Sequence, residues 1–375
     1  MVLDTFGNRG NGTSNSAIQY AHELERQGHH VRLVGIGAPD YPARVHTIPL
    51  VSRVAAKQQM SFARADPSLF KRAFDGVDLV HIYEPFAFGR AALAVADGMG
   101  LPVTAGFHIQ PENITYSAGP LRYVPGLDGA IYRLFRHWLY GGIRHIHVPT
   151  LLTADLLRAH GYRSCLHVIS NGYQPRFDPG DRYEAKRTPP FSDRPVHIVA
   201  SGRLASEKDH ATLIRALSRC RHRDRVRLTI AGTGPLERRL KAQAARELDG
   251  PVSIGFHPNE TMPQLLRTAD LLVHPSIADL ESVSVLEGMA CGAVPIIAQS
   301  KLSAAGQFAL TPHSLFPVGQ ADVLASRIDW WIDHPDLMVS WSKGYADFTR
   351  DHYSIAASVR AFVGMERQAL ADFRP

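Results

Sequence analysis

Short apolar, β-branched segments alternate with amphipathic helical patterns along nearly the whole chain. The predicted strands of the first half are Val2–Asp4, Val31–Gly35, Asp78–Tyr83, Val103–Phe107, Ile143–Val148 and His167–Ile169. Those of the second half are Val196–Ser201, Val226–Ala231, Val252–Phe256, Leu271–His274 and Val294–Ala298. A strand–helix–strand order builds parallel sheets that are covered by helices on both faces. The sequence therefore predicts an α/β protein with one doubly wound sheet in each half.

The length of the chain and one proline-rich stretch predict where these domains begin and end. A chain of 375 residues exceeds one ordinary domain of about 100–200 residues. The stretch QPRFDPGDRYEAKRTPPFSDRP, residues 174–195, is rich in proline and charge, as linkers are. We therefore expect an N-terminal domain (1–173), a linker (174–195), a C-terminal domain (196–350) and a C-terminal helix (351–375). That helix is expected to pack back toward the N-terminal domain.

Composition and cysteine usage predict a cytoplasmic protein. Hydrophobic residues make up 45% of the chain and charged residues 20%, which is typical of folded soluble domains. No run of about 18 apolar residues could span a membrane, and the start MVLDTFGNRG lacks the basic leader of a secretory signal. The three cysteines, Cys165, Cys220 and Cys291, lie far apart and suit a reducing compartment.

The positive charge is concentrated in the first half of the chain. Residues 1–190 contain 20 Lys and Arg against 15 Asp and Glu, whereas the net charge of the whole chain is +6. A negatively charged partner is therefore expected to meet the first half, and nucleic acid and an anionic membrane are the two candidates. No RNP-like aromatic strand, zinc finger or dense basic helix is present, so we do not expect nucleic acid.

Two basic segments favour the membrane. Residues 119–148 carry Arg122, Arg133, Arg136 and Arg144 among five aromatic residues, and residues 52–72 carry Arg53, Lys57, Arg64, Lys71 and Arg72. A basic amphipathic helix with aromatic residues suits an anionic lipid surface, where each basic residue contributes about 1 kcal/mol. The alternative is that Ile131, Leu134 and Trp138 simply pack in the core.

Ligands of open parallel sheets bind beyond the carboxyl ends of the strands, so the loops that follow strands are the candidate sites. The first such loop, DTFGNRGNGTSNS (4–16), contains Gly7, Gly10 and Gly12. Their small size allows a tight turn and a close approach to a ligand. The loop matches neither the dinucleotide fingerprint nor the Walker pattern. A glycine turn without any ligand is the alternative.

Two further loops follow strands of the second half. The loop SGRLASEKDH (201–210) places Gly202, Arg203 and Lys208 before a helix, where two cations and helix amides could bind a diphosphate. The loop AGTGPLERRL (231–240) contains Gly232, Gly234 and Pro235. The alternatives are a solvated basic loop for the first and ordinary strand-to-helix punctuation for the second.

The stretch ADLESVSVLEGMACG (278–292) carries three carboxylates beside a short helix predicted over 282–290. Glu287 could accept both hydroxyls of a ribose, because an ionised carboxylate offers only acceptors. Asp279, eight positions earlier, could hold a second sugar, with the helix amides facing the phosphates between them. The alternative is that the carboxylates serve only as helix caps and dipole partners.

His108, in FHIQPENITYS (107–117), follows directly on a buried strand, where a polar ring needs a partner. A structural histidine with satisfied hydrogen bonds is the alternative to a functional one. No HExxH or CxxC spacing occurs in the chain, so we expect no protein-held metal.

Taken together, these loops resemble the retaining GT-B glycosyltransferases of family 4, most strongly over 196–299. The resemblance implies two Rossmann-like domains facing a central cleft. It also implies that Arg203 and Lys208 bind the diphosphate of a sugar-nucleotide donor and stabilise its departure. The acidic E-x7-E motif of the family holds the sugar with its first acid and the ribose with its second. That assigns the ribose to Glu287 and the sugar to Asp279.

The acidic motif departs from the family pattern at its first position, where aspartate replaces glutamate. Glu281 is either a substitute for the first acid or a solvated loop charge. The family's glycines after the first acid are also missing, since Leu280, Glu281 and Ser282 stand there. Ser282, at the helix start, is still expected to join the donor site.

The resemblance also implies roles for the remaining loop residues. Gly12 lies in the loop that faces donor and acceptor, His108 contacts the donor sugar, and Gly202, Gly232, Gly234 and Pro235 shape the nucleotide pocket. The family transfers sugar without a metal, and the expected co-substrate is a UDP-linked hexose, although the residues themselves do not distinguish uridine from guanosine.

The acceptor is predicted from two stretches, FHIQPENITYSAG (107–119) and SKLSAAGQFAL (300–310), which resemble the diacylglycerol glucosyltransferase branch of the family. Together with the basic segments they predict a lipid acceptor of diacylglycerol type on the inner face of the cell membrane. The alternatives are a glycosyltransferase that uses a soluble or polymer-linked glycan, and a non-catalytic protein that only binds sugar nucleotides.

Overall fold

The computed structural model describes residues 1–6, 12–49, 52, 60–117, 119, 123–180 and 194–374. The chain divides into two compact units, one formed by Met1–Asn171 with Ile355–Pro375 and the other by Gly172–Ser354. Several residues that the sequence singled out lie outside the described residues: Gly7, Gly10, Arg53, Lys57, Arg122 and residues 181–193 of the predicted linker.

The first unit contains a seven-stranded parallel sheet. Its strands are β1 (Val2–Thr5), β2 (Val34–Ile36), β3 (Tyr41–Pro42), β6 (Val80–Ile82), β7 (Val103–Gly106), β8 (His145–Val148) and β9 (Cys165–Val168). They lie in the order β3-β2-β1-β6-β7-β8-β9, and a short antiparallel pair, β4 (Val45–His46) and β5 (Phe62–Ala63), stands beside them. The helices are α1 (Gly12–Arg26), α2 (Pro67–Phe74), α3 (Ala87–Gly98), α4 (Pro111–Ser117), α5 (Leu127–Trp138) and α6 (Leu151–Ala159).

The central strands of this sheet follow the predicted pattern, while its edge differs in detail. The strand predicted over Val31–Gly35 begins only at Val34, because the Leu33 amide donates to an Asp40 carboxylate oxygen (2.9 Å). The strands β3, β4 and β5 are two residues long, too short for any alternation of polar and apolar residues to reveal them.

The second unit is built on a six-stranded parallel sheet. Its strands are β10 (Val196–Ser201), β11 (Val226–Ala231), β12 (Val252–Gly255), β13 (Leu271–His274), β15 (Val294–Gln299) and β17 (Leu315–Pro317), in the order β12-β11-β10-β13-β15-β17. A separate short pair joins β14 (Ala278–Asp279) to β16 (Leu302–Ser303). The helices are α7 (His210–Arg219), α8 (Glu237–Glu247), α9 (Met262–Thr268), α10 (Val283–Ala290), α11 (Ala321–Asp333) and α12 (Pro335–Tyr353).

The predicted linker is wrong at its beginning, because residues 174–180 belong to the second unit. Phe177 is buried in the core of that unit. The Arg267 side chain on α9 donates to the backbone carbonyl of Asp178 (2.9 Å) and to that of Arg176 (3.2 Å). Proline and charge in a sequence do not reveal that a single aromatic side chain anchors the segment.

The last helix, α13 (Ile355–Asp372), belongs to the first unit. Its buried residues Val359 and Phe362 pack with Tyr20 and Leu24 of α1, and the Tyr20 and Phe362 rings meet edge to face at 5.4 Å. On the same helix Glu366 accepts hydrogen bonds from the Thr104 hydroxyl (2.9 and 3.0 Å), and its Oε1 lies 3.3 Å from the His81 ring. The helix α13 is therefore held in the first unit both by apolar packing against α1 and by the polar contacts of Glu366.

The helix α5 buries two aromatic side chains and leaves two other large apolar side chains exposed to solvent. Its Tyr132 and Phe135 are buried, whereas the side chains of Leu134 and Trp138 are 56% and 43% exposed. The interpretation that Leu134 and Trp138 are core residues is therefore wrong. Within the described ranges, no helix has the length and apolar character needed to cross a membrane.

Substitution of Glu366 by Gln should change how stability depends on pH. Burial raises the pKa of Glu366 to about 8 from an ordinary 4.5, so the folded protein retains a proton that the unfolded chain loses. Stability of the wild type is then reduced as pH rises from 4.5 to 8. The neutral amide avoids this loss. Glu366→Gln should gain stability relative to wild type across this window in denaturant unfolding, and a difference independent of pH would contradict the assignment.

Candidate functional site

Three loops of the second unit meet at the carboxyl edge of its sheet. The central strand β10 has β11 on one side and β13 on the other. The loop after β10 spans residues 202–209, that after β11 spans 232–236, and that after β13 leads through β14 to α10. This edge brings together most of the residues that the sequence predicted for a donor site.

Glycines let the first two loops approach each other through their backbones. The Gly202 amide donates to the Ala231 carbonyl (3.0 Å), and the Leu204 amide donates to the Thr233 carbonyl (2.9 Å). A Cβ at Gly232 would lie 1.9 Å from the Gly202 oxygen, and one at Gly234 would lie 2.5 Å from the Leu204 oxygen. These glycines therefore let the loop after β11 hold the cationic loop 202–209 in position. An ordinary strand-to-helix turn would not require these close backbone contacts. The neighbouring Pro235 is exposed.

Both predicted cations are held in ion pairs. Arg203 Nη2 donates to Glu207 Oε1 (2.8 Å), one helical turn later, and the Lys208 ammonium pairs with Asp279. The Arg203 and Lys208 side chains are only 17% and 19% exposed. The interpretation of this stretch as a solvated basic loop is therefore wrong.

Asp279 lies between two partners. Its Oδ2 accepts from Lys208 and is 3.3 Å from His274 Nε2, which also lies 2.9 Å from the Ser282 hydroxyl. Burial alone would raise the pKa of Asp279, but Lys208 and His274 outweigh it and hold the pKa well below its ordinary value. Burial in turn lowers the pKa of His274, so its ring is neutral at neutral pH. Asp279 is thus ionised and its position is fixed.

The backbone is strained at two points of the site. Asp209 (φ 43°) and Ser282 (φ 76°) adopt left-handed conformations at the starts of α7 and α10, where residues other than glycine are uncommon. The Glu207 carbonyl accepts from the Ile277 amide (2.7 Å) and from the Ser276 hydroxyl (3.1 Å), which joins the two loops. Such strain costs about 1–3 kcal/mol per residue and is typical of functional sites.

The carboxylates of this stretch differ in environment. The backbone at the start of α10 receives no side-chain cap, so the interpretation of the three acids as caps is wrong. Glu281 is 2% exposed, which excludes a solvated loop charge. Glu287 is half-buried, and its carboxylate accepts no hydrogen bond from the described residues. Burial raises the pKa of Glu287 to about 7, against the opposing effect of Arg176.

His108, in the first unit, lies just beyond the carboxyl end of β7. Its ring stacks on Tyr83 with the centroids 5.1 Å apart and meets His147 edge on. Its buried Nε2 has no hydrogen-bond partner among the described residues, so it is not a satisfied structural histidine. A Cβ at Gly106 would lie 2.4 Å from this atom, so only glycine allows the ring to fold back there. Burial, with His147 and His81, keeps the pKa of His108 well below ordinary.

Two other expectations concern Gly12 and metal binding. Gly12 begins α1, is exposed, and has open space where a side chain would lie. Within the parts of the chain that the structure describes, no group of three His, Cys, Asp or Glu side chains could hold a metal ion.

Sequence reasoning missed two residues of the site. Glu207 holds Arg203, and the spacing of four residues between them was a readable sign of an ion pair. His274 is the last residue of β13, and the rule that ligands bind at the carboxyl ends of parallel strands could have identified it. Its contact with Ser282, eight positions further on, depends on a backbone conformation that no spacing reveals.

Comparisons with known proteins agree with this geometry. The model described as Glycosyltransferase Family 4 matches residues 10–177, and the model described as Glycosyl transferases group 1 matches residues 181–346. The alpha-monoglucosyldiacylglycerol synthase of Streptococcus pneumoniae is 24% identical over 90% of this chain and 79% of its own length. A GDP-mannose-dependent alpha-mannosyltransferase of Mycobacterium tuberculosis is 27% identical over 85% of this chain and 84% of its own.

A solved structure shows the same fold. The sucrose-phosphate synthase of Thermosynechococcus elongatus superposes with a TM-score of 0.78 at 17% identity, over 99% of this chain and 98% of its own. The expected pair of Rossmann-like domains is thereby confirmed. With the two family models covering both halves, the chain belongs to the GT-B glycosyltransferases of family 4.

Proposed function

We propose that this enzyme transfers a hexose, with retention and without a metal, from a nucleoside diphosphate sugar to a hydroxyl of a membrane lipid. The observation that carries the proposal is the convergence at one sheet edge of Arg203, Lys208 and Asp279, beside the start of α10. Two cations and helix amides form an environment for a doubly charged diphosphate.

The reaction needs charge stabilisation more than it needs a protein nucleophile. The bond between the anomeric carbon and the diphosphate oxygen breaks, and the acceptor hydroxyl forms the new bond on the same face. The hydroxyl proton passes to the departing diphosphate. Negative charge therefore grows on the leaving group, and Arg203 and Lys208 are the groups proposed to stabilise it.

The ion pair of Lys208 implies an exchange of partners when the donor binds. In the donor-free enzyme Lys208 is neutralised by Asp279. A diphosphate carries more charge than one carboxylate and would compete for the ammonium. Asp279 is then free to accept hydrogen bonds from sugar hydroxyls while His274 keeps it in place. The contact with Lys208 supports Asp279, and not Glu281, as the first acid of the family motif.

The other donor contacts follow from the positions of the predicted residues. The Glu287 carboxylate accepts no hydrogen bond from the residues that the structure describes, and it is proposed to accept from the ribose hydroxyls. Gly202 and Ser282 line the same loops, while Gly232, Gly234 and Pro235 keep the loop after β11 in place. In the first unit, His108 is proposed to contact the donor sugar through its neutral ring, and Gly12 to lie in the loop that faces the substrates.

The donor is proposed to be a UDP-linked hexose and the acceptor a diacylglycerol-type lipid. One relative is named a monoglucosyldiacylglycerol synthase, which supports the lipid. Another is named GDP-mannose-dependent, so UDP- and GDP-hexoses both belong in the assay. Radiolabelled donors incubated with a total lipid extract and with soluble glycans should label the organic phase. Label only in soluble glycans would contradict the lipid acceptor.

The enzyme is proposed to act as a peripheral protein on the inner face of the cell membrane. The exposed Leu134 and Trp138 of α5 lie among Arg133, Arg136 and Arg144 of the basic segment 119–148. Apolar insertion beside basic residues is how amphipathic helices bind anionic lipid surfaces. In the second segment, 52–72, the described cations Lys71 and Arg72 lie exposed on α2.

Substitution of Lys208 by Ala should lower kcat by about 10²–10³-fold, because a charge that stabilises the leaving group is lost. Lys241→Ala is the matched control, since Lys241 forms an exposed pair with Glu237 on α8 of the same unit (2.7 Å). The double variant Lys208→Ala/Asp279→Ala removes both charges and guards against misfolding by an unpaired Asp279. Full activity of the Lys208 variant in a steady-state transfer assay would overturn the assignment.

Donor binding should depend on pH through Glu287. Because its pKa is about 7, the acceptor form of the carboxyl increases as pH rises through neutrality, and the donor KM should fall over that range. Glu287→Gln should raise the donor KM about tenfold above neutrality and abolish this pH dependence, because an amide does not titrate. Glu237→Gln on α8 should behave as wild type. A variant whose KM still falls with pH would show that another group is responsible.

Membrane binding should depend on Trp138. In flotation with vesicles, wild type should bind phosphatidylglycerol-containing membranes more than pure phosphatidylcholine. Trp138→Ala should reduce that binding, because the side chain no longer buries its apolar surface in the lipid. Leu337→Ala is the control, since Leu337 on α12 is equally exposed in the other unit. Equal flotation of both variants would argue against α5 as the membrane surface.

A further inference from the structure

The first unit contains a cavity of about 770 Å³. Its described lining residues come from the end of α5, the turn that follows it, and the segment between α6 and β9: Arg136, His137, Tyr140, Gly141, Gly142, Ile143, Arg144, Gly161, Tyr162, Arg163, Ser164 and Cys165. The volume falls within the range of small-molecule sites, about 300–1,000 Å³.

This cavity lies away from the residues proposed for sugar transfer. Residues 141–144 lead into β8, and residues 161–164 lead into β9, so the cavity is at the amino ends of these strands. His108 follows the carboxyl end of β7, a parallel neighbour of β8, and therefore lies at the opposite edge of the sheet. A ligand bound in this cavity would therefore be separate from the groups that His108 is proposed to contact.

The lining is strongly cationic. It contains three arginines and His137, and none of its described residues is acidic. Arg144 has a carboxylate nearby, Asp372 of α13 (3.2 Å), but both side chains are partly exposed and such pairs contribute little. Within the described part of the chain, no carboxylate lies within ion-pair distance of Arg136 or Arg163. An anionic ligand would therefore meet at least two uncompensated charges.

One of these arginines is held in place by the fold. Arg136 Nη1 donates to the carbonyls of His160 and Gly161, both at 3.0 Å, which leaves the donors on Nε and Nη2 available. Gly161 (φ 77°) makes this possible, since a Cβ there would lie 2.3 Å from Nη1. A guanidinium fixed in this way presents its remaining donors to an oxyanion at little entropic cost.

The rest of the cavity suits an organic group larger than a bare ion. Its volume of about 770 Å³ exceeds what a bare phosphate needs. The side chains of Tyr140 and Tyr162 are buried beneath it, where their hydroxyls donate to the Gly106 and Tyr132 carbonyls (3.0 and 2.8 Å). At Gly142 no atom lies within 4 Å of where a Cβ would be, which keeps the cavity open.

We propose that this cavity binds a phosphate ester, with the phosphate on Arg136 and Arg163 and the organic part in the space beside them. The proposal is independent of sugar transfer by the second unit. The same chemistry is offered by a soluble phosphorylated metabolite and by the headgroup of an anionic phospholipid.

The test is calorimetric titration of the full-length enzyme with glycerol 3-phosphate and, separately, co-sedimentation with phosphatidylglycerol vesicles. Arg163→Ala should weaken binding of the phosphate ester about tenfold or more, because a charge-assisted hydrogen bond to the phosphate is lost. Arg163 makes no hydrogen bond that the fold needs among the described residues. Arg158→Ala is the matched control, since Arg158 is exposed on α6 outside the cavity and its loss should leave the affinity unchanged.

The outcomes separate the possible sources of the ligand. Binding of glycerol 3-phosphate that is sensitive to Arg163 supports a site for soluble phosphate esters, and vesicle binding alone with the same sensitivity supports a lipid headgroup. Equal losses of affinity in the Arg158 and Arg163 variants would indicate attraction by general positive charge and not by a defined site, which would overturn the proposal. Failure of both probes to bind would overturn it as well. In Lys208→Ala the probe should still bind, which distinguishes this site from the transfer site.

Discussion

The ion pair between Lys208 and Asp279 joins two loops that the chain separates by 71 positions. Removing one member of such a pair leaves a charge that has lost both water and partner, at a cost of about 3–5 kcal/mol in buried cases. The pair therefore fixes the site before any donor arrives, with His274 as a neutral third member. Under the proposed function, the diphosphate of a donor would compete with Asp279 for Lys208, so the pair that orders the site would also set the affinity that a donor has to exceed.

Around this ion pair, several residues adopt locally unfavourable backbone conformations or unusually close backbone contacts. Asp209 and Ser282 adopt left-handed backbone conformations, and Gly232 brings two backbones too close for any side chain. Each departure lies at the carboxyl edge of one sheet, and each places a loop that carries charge. The apolar strands β10 and β11, which pair in register over six residues, provide the rigid support for this strain.

The regular parts of the fold could be predicted because they depend on local patterns. β10, β11 and β13 have the predicted bounds, since each is a buried apolar run that ends at a turn. The charged residues at their carboxyl ends were identified by the rule for parallel sheets and by a family resemblance. The partner of Lys208, the burial of Glu281 and the anchoring of Phe177 were beyond prediction, because each depends on contacts between residues distant in sequence. A two-residue strand such as β14 has no periodicity to read.

We propose that the donor's diphosphate replaces Asp279 as the partner of Lys208. The most direct measurement is the affinity of UDP and GDP, which lack the sugar, for the wild type and for Asp279→Asn by calorimetric titration. The preferred nucleotide should bind the Asn variant more tightly, because Lys208 no longer has a competing carboxylate, although sugar transfer should be impaired. An affinity that is unchanged or weaker in the variant would contradict it.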